Sequence, residues 1–353
     1  MISTKIKFIA SLILSAASLP ALATEPPRYS MTYLGNFLAS SLNNVGDVVG
    51  GIVGDGGLYE VGLYSGGTLR NLGAPGGNAV TYGINDSGQI VGRTGDSQAF
   101  VYSGGSFNLF AGGSSSSVAY GINNAGQVVG VRTVGDNSYG YVYSGGTFTD
   151  LPPATPGISA ALRINNLGQV AGKTSEGYET NPVIFHNGTV TNVGANLPAG
   201  DRVAYDINDH GQALLLARDD NNTRSYFYEN GVATSLGSFG SEDVYANDLN
   251  NSGLVVGRNT NDQAIFWQDG KMYDLSTLVT GLDGWTLHDA VGINDLDQIA
   301  VIGCRGIPGG QQCGTLLLST VTAVPEPSTY AMMAGGLGLL GFMARRRRAA
   351  AKA

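Results

Sequence analysis

The residues able to do chemistry in this chain are few and mostly far apart. Cys304 and Cys313 are its only cysteines and lie in one short segment. Two thiolates hold a metal only with further ligands, and neither a cysteine-rich set nor a histidine pair stands beside them. An even cysteine count in an exported chain favours a disulfide, with free thiols as the alternative. The three histidines, His186, His210 and His288, are scattered, and no Ser/His/Asp ordering emerges. Asp206, Asp243 and Asp248 could supply a carboxylate pair for acid/base work on a glycan. Asp219-Asp220-Asn221-Asn222 could hold a cation but also makes a good hairpin turn, which is the reading preferred. The run Gly112-Gly113-Ser114-Ser115-Ser116-Ser117 lacks the Lys-Ser/Thr of a phosphate-binding loop. No catalytic, cofactor-binding or metal-binding residue is assigned.

A repeat must position all of these residues. One phrase recurs as Leu42-Asn43-Asn44-Val45-Gly46, Ile84-Asn85-Asp86-Ser87-Gly88-Gln89 and Ile122-Asn123-Asn124-Ala125-Gly126-Gln127. It continues as Ile164-Asn165-Asn166-Leu167-Gly168-Gln169, Ile207-Asn208-Asp209-His210-Gly211-Gln212 and Leu249-Asn250-Asn251-Ser252-Gly253. The last copy, Ile293-Asn294-Asp295-Leu296-Asp297-Gln298, has Asp where the others have Gly. The first Asn falls at 43, 85, 123, 165, 208, 250 and 294. A period of about 40–45 residues with several strands per repeat is the mark of propeller blades. The phrases lack the spacing and closing Glu of an EF-hand calcium loop.

Local chemistry gives the strands. Asn, Asn/Asp, any residue, then Gly suits a type I turn closed by a left-handed glycine. Apolar residues flank it on both sides and read as two strands. A second hairpin follows, with Gly-Gly in Ser103-Gly104-Gly105-Ser106 and Ser144-Gly145-Gly146-Thr147, and Asn-Gly or Asp-Gly in Asn187-Gly188, Asn230-Gly231 and Asp269-Gly270. These pairs tolerate the two positive φ angles of a type I′ hairpin. Two hairpins make four strands per repeat. The last repeat lacks its fourth strand, and the spare segment Tyr29–Gly35 can supply it. The expectation is an all-β, seven-bladed β-propeller of four-stranded repeats of about 42 residues, closed by an N-terminal strand. The links around 132–138, 175–180, 219–224, 238–243 and 305–312 vary. That suits a binding surface and equally suits drift in unconstrained loops.

Composition agrees. The chain has 54 Gly in 353 residues, near twice the usual ~7%, and 13% charged residues, about half the usual share. Glycine without a three-residue period excludes collagen, and this much glycine disfavours a helical protein. A hydrophobic content of 42%, with 17 Tyr and 11 Phe, excludes a wholly disordered chain.

The ends are addresses. Lys5 and Lys7 precede an apolar run, and Ala21-Leu22-Ala23 is a small-x-small cleavage site, with Ala21 and Ala23 as its small residues. This is the layout of a secretory signal peptide over residues 1–23, removed by signal peptidase. Pro325-Glu326-Pro327 is followed by an apolar stretch, 331–344, and then by Arg345, Arg346, Arg347 and Arg348. The stretch reads as a short C-terminal transmembrane segment, and the arginines belong on the cytoplasmic side as a membrane stop. Of the 19 cations, 7 lie in these ends, leaving 12 against 27 acids and a body near −15. Such a surface repels nucleic acid, and no basic stripe for it exists.

Residues 323–353 closely resemble the PEP-CTERM sorting signal, with its Pro-Glu-Pro motif, membrane segment and basic cluster in order. The resemblance implies a Gram-negative, exopolysaccharide-making host, processing by an exosortase, and a transient inner-membrane intermediate. It places the product at the cell surface or in the extracellular matrix, the biofilm matrix included. The body, 24–322, resembles the HAF repeat of extracellular bacterial proteins. Gln98-Ala99-Phe100-Val101-Tyr102 and Gln263-Ala264-Ile265-Phe266-Trp267 carry that phrase, with Gln in the His place. This resemblance implies a propeller-like fold and export, and no established chemistry. The expected function is a non-catalytic binding or structural component alongside exopolysaccharide. The alternative is a secreted propeller enzyme acting on glycans, which two acids converging at the channel mouth would favour.

Overall fold

In a computed structural model, the structure describes residues 25–321 except 55, 112, 153–157, 177–178, 219–222 and 241–242. The signal-peptide residues Ala21 and Ala23, the turn at 219–222, the expected transmembrane segment, Pro325, Glu326, Pro327 and the four arginines lie outside the described residues. No helix among the described residues is long and apolar enough to cross a membrane.

Seven sheets form a β-propeller, each with an antiparallel four-stranded blade. Blades 1 to 6 are four-stranded meanders spanning residues 38–71, 79–110, 116–150, 158–192, 201–235 and 244–274. Blade 7 is built from Thr286–Ile293, Ile299–Ile307 and Gly310–Thr320. Its fourth strand is Tyr29–Gly35, which pairs antiparallel with Gly310–Thr320, so the N-terminal segment closes the ring as its sequence suggests. A fifth strand was not foreseen. Val279–Thr280 runs parallel to Tyr29 and Ser30 and covers the start of the exposed edge.

The turns follow from their residues. In six copies the residue three after the first Asn is a glycine with φ between 74° and 86°, and its N–H reaches the first Asn carbonyl to close the turn. Type I′ angles occur at Gly104-Gly105 (φ 60° and 85°) and Asn187-Gly188 (49° and 77°), as at the other blade-outer hairpins.

Each sheet is buried on both faces, so second strands begin with apolar pairs instead of alternating. Val48-Val49, Ile90-Val91, Val128-Val129 and Val255-Val256 are all at most 1% exposed. One member of each pair packs into each neighbouring seam. Val49, Val61 and Leu63 of blade 1 meet Ala79, Ile84, Ile90 and Phe100 of blade 2. The core is therefore a circle of inter-blade seams, each fully buried aliphatic side chain contributing about 1.5–3 kcal/mol.

Close approach fixes one glycine column. A Cβ on Gly130, in the second strand of blade 3, would lie 1.9 Å from the Val118 carbonyl oxygen of the first. Cys304 and Cys313 face each other across the last hairpin and form a disulfide, with Cα atoms 4.1 Å apart.

The links expected to vary are shorter than their composition suggests. Val128–Val134 and Asn137–Ser144 leave only two residues between them, as do Ile299–Ile307 and Gly310–Thr320. Residues 132–134 and 305–307 belong to the ladder and do not form a loop surface. Arg132 is held there by a paired contact to Asp150 at 2.7 and 2.8 Å and by the Phe148 ring.

Candidate functional site

The site lies at the end of the central channel ringed by the Asn phrases. The first Asn of every copy is only 3–5% exposed, so its amide must find partners inside. Each Oδ1 accepts the N–H of the residue four positions on, which fixes the turn. Each Nδ2 donates to the carbonyl of the corresponding Asn in the next blade, at 2.8–3.1 Å. Asn294 donates to Asn43, so the circuit closes after seven bonds. In five copies the second Nδ2 hydrogen goes to the Gln that ends the phrase.

The second residue of the phrase builds an outer circle. Each accepts, through Oδ1, the N–H of its counterpart in the preceding blade at 2.7–3.0 Å. Around the ring the residues run Asn44, Asp86, Asn124, Asn166, Asp209, Asn251 and Asp295. Every Asp is flanked by two Asn, and three is the most acids that a seven-membered ring holds with none adjacent. The carboxylates are also met by Asn amides, as where Asn124 Nδ2 reaches Asp86 at 2.7 Å and Asn166 Nδ2 reaches Asp209 at 2.9 Å. The phrase is thus both a turn and a stitch between blades.

Inside this double circle is a cavity of about 180 Å³. It is lined by residues of the phrases and, in six copies, by the residue two positions before the first Asn: Ser41, Gly83, Gly121, Arg163, Asp206 and Asp248. A β-bulge precedes this position in every blade, at Ser40, Tyr82, Tyr120, Leu162, Tyr205, Asn247 and Val291. Three consecutive blades carry charge here, and the others carry Gly or Ser.

Asp206 and Asp248 converge and are hydrogen-bonded to each other. Asp206 Oδ1 accepts the Ile207 N–H at 2.9 Å and Oδ2 accepts the Leu249 N–H at 3.0 Å. Asp248 Oδ1 accepts the Leu249 N–H at 3.1 Å and Oδ2 accepts the Ile293 N–H at 2.8 Å. Burial and the adjacent Asp206 charge push the Asp248 carboxyl well above the usual carboxylate range. Burial also raises Asp206, against the opposing effects of the Asp248 hydrogen bond and Arg163. The pair therefore shares a proton between its two carboxyls. Arg163 Nε stands 3.9 Å from Asp206, and its Nη1 donates to the Tyr120 carbonyl at 2.9 Å.

Of the three acids singled out in the sequence, Asp206 and Asp248 come together and Asp243 does not. Asp243 precedes the first strand of blade 6 and accepts the Thr223 N–H at 3.1 Å. Arg163 was missed. Its signal was available in the column two before the first Asn, where a lone cation interrupts small residues and acids. Among the described residues, no group of three or more His, Cys, Asp or Glu could hold a metal ion.

Comparison with known proteins locates the tail and the fold. Residues 323–348 match the PEP-CTERM protein-sorting motif, which indicates export and sorting to the cell surface. No curated protein matches the sequence. Among solved structures, the extracellular domain of a hybrid two-component system from B. thetaiotaomicron has a TM-score of 0.54 at 11% identity, covering 85% of this chain and 40% of that one. A Mycobacterium tuberculosis puromycin-hydrolyzing peptidase has a TM-score of 0.52 at 12% identity, covering 84% of this chain and 52% of that one. This chain thus spans about half the length of that peptidase. YCF48, solved with a bound D1 peptide, has a TM-score of 0.50 at 14% identity, covering 88% of this chain and all of that one. At such identities these likenesses establish the fold: the chain is a seven-bladed β-propeller carrying a PEP-CTERM sorting motif at its C-terminal end.

Proposed function

We propose that this protein is an exported, non-catalytic propeller that exosortase releases from the inner membrane to the cell surface or matrix. There it serves as a binding or structural component alongside exopolysaccharide. The matched motif at 323–348 carries this reading. The Asn-phrase copies, which resemble the HAF repeat of extracellular proteins, and the disulfide agree with it. The test is the C-terminal peptide of surface or matrix material from the native host. It is expected to end upstream of the apolar run. Full-length protein ending at Ala353 would make the segment an ordinary anchor. Replacing Pro325, Glu326 and Pro327 with Ala is expected to leave full-length protein in the membrane.

The convergence of Asp206 and Asp248 favours one second reading, an acid/base enzyme. Glycosidase carboxyls stand about 5–9.5 Å apart to admit the sugar and water, whereas these two touch. Their four oxygens are also engaged by backbone N–H groups. Both features support a structural role for the pair. Turnover of a host polysaccharide by wild type, lost in Asp248→Asn, would restore the enzyme.

A further inference from the structure

The two aspartates show what the channel wall accepts. In each blade the first Asn N–H bonds across the hairpin, as Asn85 does to Gln89 and Asn123 to Gln127. The residue before it therefore sits in a non-hydrogen-bonded pair, Ile84 with Ile90 and Ile122 with Val128. Its N–H turns to the free edge of the innermost strand, which faces the channel. In blades 5 to 7 these inward N–H groups belong to Ile207, Leu249 and Ile293, and all are capped by Asp206 or Asp248. Each carboxylate straddles two of them, that of its own blade and that of the next.

Gly83 stands in the same relation to Ile84 and Ile122. It has no side chain to bridge them, and the cavity opens beside it. An added Cβ there would meet Val91 Cγ2 at 3.2 Å and no backbone atom closer than 3.6 Å. The matching place at Gly121 is crowded by the Arg163 Cα and Leu162 oxygen, both at 3.2 Å. Sheet edges with aligned N–H groups bind anions. Arg163 lines the same cavity and offers positive charge. The acids at the mouth are already met by amide donors.

We propose that the cavity binds a carboxylate on the inward N–H groups of Ile84 and Ile122, in the place an acidic side chain at position 83 would fill, with Arg163 as its countercharge. The ligand is a small free carboxylic acid or the carboxylate of a uronic acid. This goes beyond the sorting reading and stands if that reading fails.

The probes are sodium acetate and sodium glucuronate, titrated into the purified protein at constant ionic strength while the thermal midpoint is followed. Acetate is expected to raise the midpoint saturably. A glucuronate response that competes with acetate identifies the uronic acid as a ligand, and an acetate response alone identifies the small acid. Gly83→Asp is expected to abolish the response by tethering a carboxylate in the site. Arg163→Gln is expected to weaken acetate at least about tenfold, the loss of one charge-assisted contact, and serves if Gly83→Asp does not fold. A crystal grown in acetate should show planar density within hydrogen-bond reach of both N–H groups. No saturable response to either probe, an unchanged response in Gly83→Asp, or density for water only would overturn the proposal.

Discussion

Asp297 Oδ1 lies 2.8 Å from Asn250 Nδ2, across the seam between blades 7 and 6. Asn250 is the copy whose phrase ends in Leu254 where five others end in Gln. Its amide would lack the acceptor that Gln supplies elsewhere, and the next blade provides one. Asp297 does so from a left-handed backbone position, φ 57°, that glycine holds in every other copy. Two departures from the repeat therefore explain each other. Asp297→Gly loses a partly buried hydrogen bond of about 0.5–1.5 kcal/mol and regains backbone ease, so the single variant should change stability little. In a Leu254→Gln background the bond has a substitute. A double-mutant cycle by urea unfolding should therefore show coupling of about 1 kcal/mol, with Asp297→Gly less harmful beside Gln. Additive effects would disprove the compensation.

The inner amide circuit should be the least tolerant part of the phrase. Asn123→Ala leaves the Gln127 N–H and the Asn165 carbonyl without their partner, for an expected loss of about 2–4 kcal/mol. Asn123→Asp should be worse near neutral pH, because a carboxylate cannot donate to Asn165. It should recover in part as the pH falls toward 4. An aspartate variant as stable as wild type at pH 7 would contradict the donor role.

The turns of this circuit were legible because each is made by neighbours in sequence. The circuit was not, because every bond joins residues 38–44 apart, or 251 apart at the closure. Asp206 and Asp248 could be named as inner-strand acids, but their meeting depends on blade geometry. The bulges left no trace because Ser40, Tyr82, Leu162 and Asn247 share no chemistry. Val279–Thr280 is too short a strand to give a pattern.

The acid pair gives stability a definite slope with pH. Both carboxyls titrate above their ordinary range when folded. The folded chain therefore keeps a proton that the unfolded chain releases. That contribution is complete below the ordinary carboxylate pKa of about 4 and is lost as pH rises through the raised range of the pair. Asp248→Asn keeps a donor toward Asp206 and cannot lose it. Unfolding free energies from pH 4 to 9 should fall more steeply for wild type than for this variant. Parallel curves would show that the shared proton is absent.

Removing residues 25–36 should unmake the closure. Tyr29 is fully buried, and Leu316 and Leu318 of the partner strand are too. The deletion bares both these side chains and a row of unpaired backbone groups. Aggregation or loss of cooperative unfolding is the expected result. A monomeric deletion variant with an unchanged midpoint would show that six and three-quarter blades suffice.

The Val321 N–H donates to the Arg28 carbonyl at 2.7 Å, so the last paired residue of the propeller sits beside its first. The sorting motif begins at residue 323, two positions later. In a chain made from its N-terminus, Tyr29–Gly35 emerges early. It then waits for Gly310–Thr320, some 275 residues behind. Six blades can assemble from contiguous sequence in that interval, but the seventh cannot. Its missing partner arrives only with the last of the blade strands. Completion of the ring thus waits for the last strand, and a prematurely terminated product is left with an unmatched strand that proteases can seize.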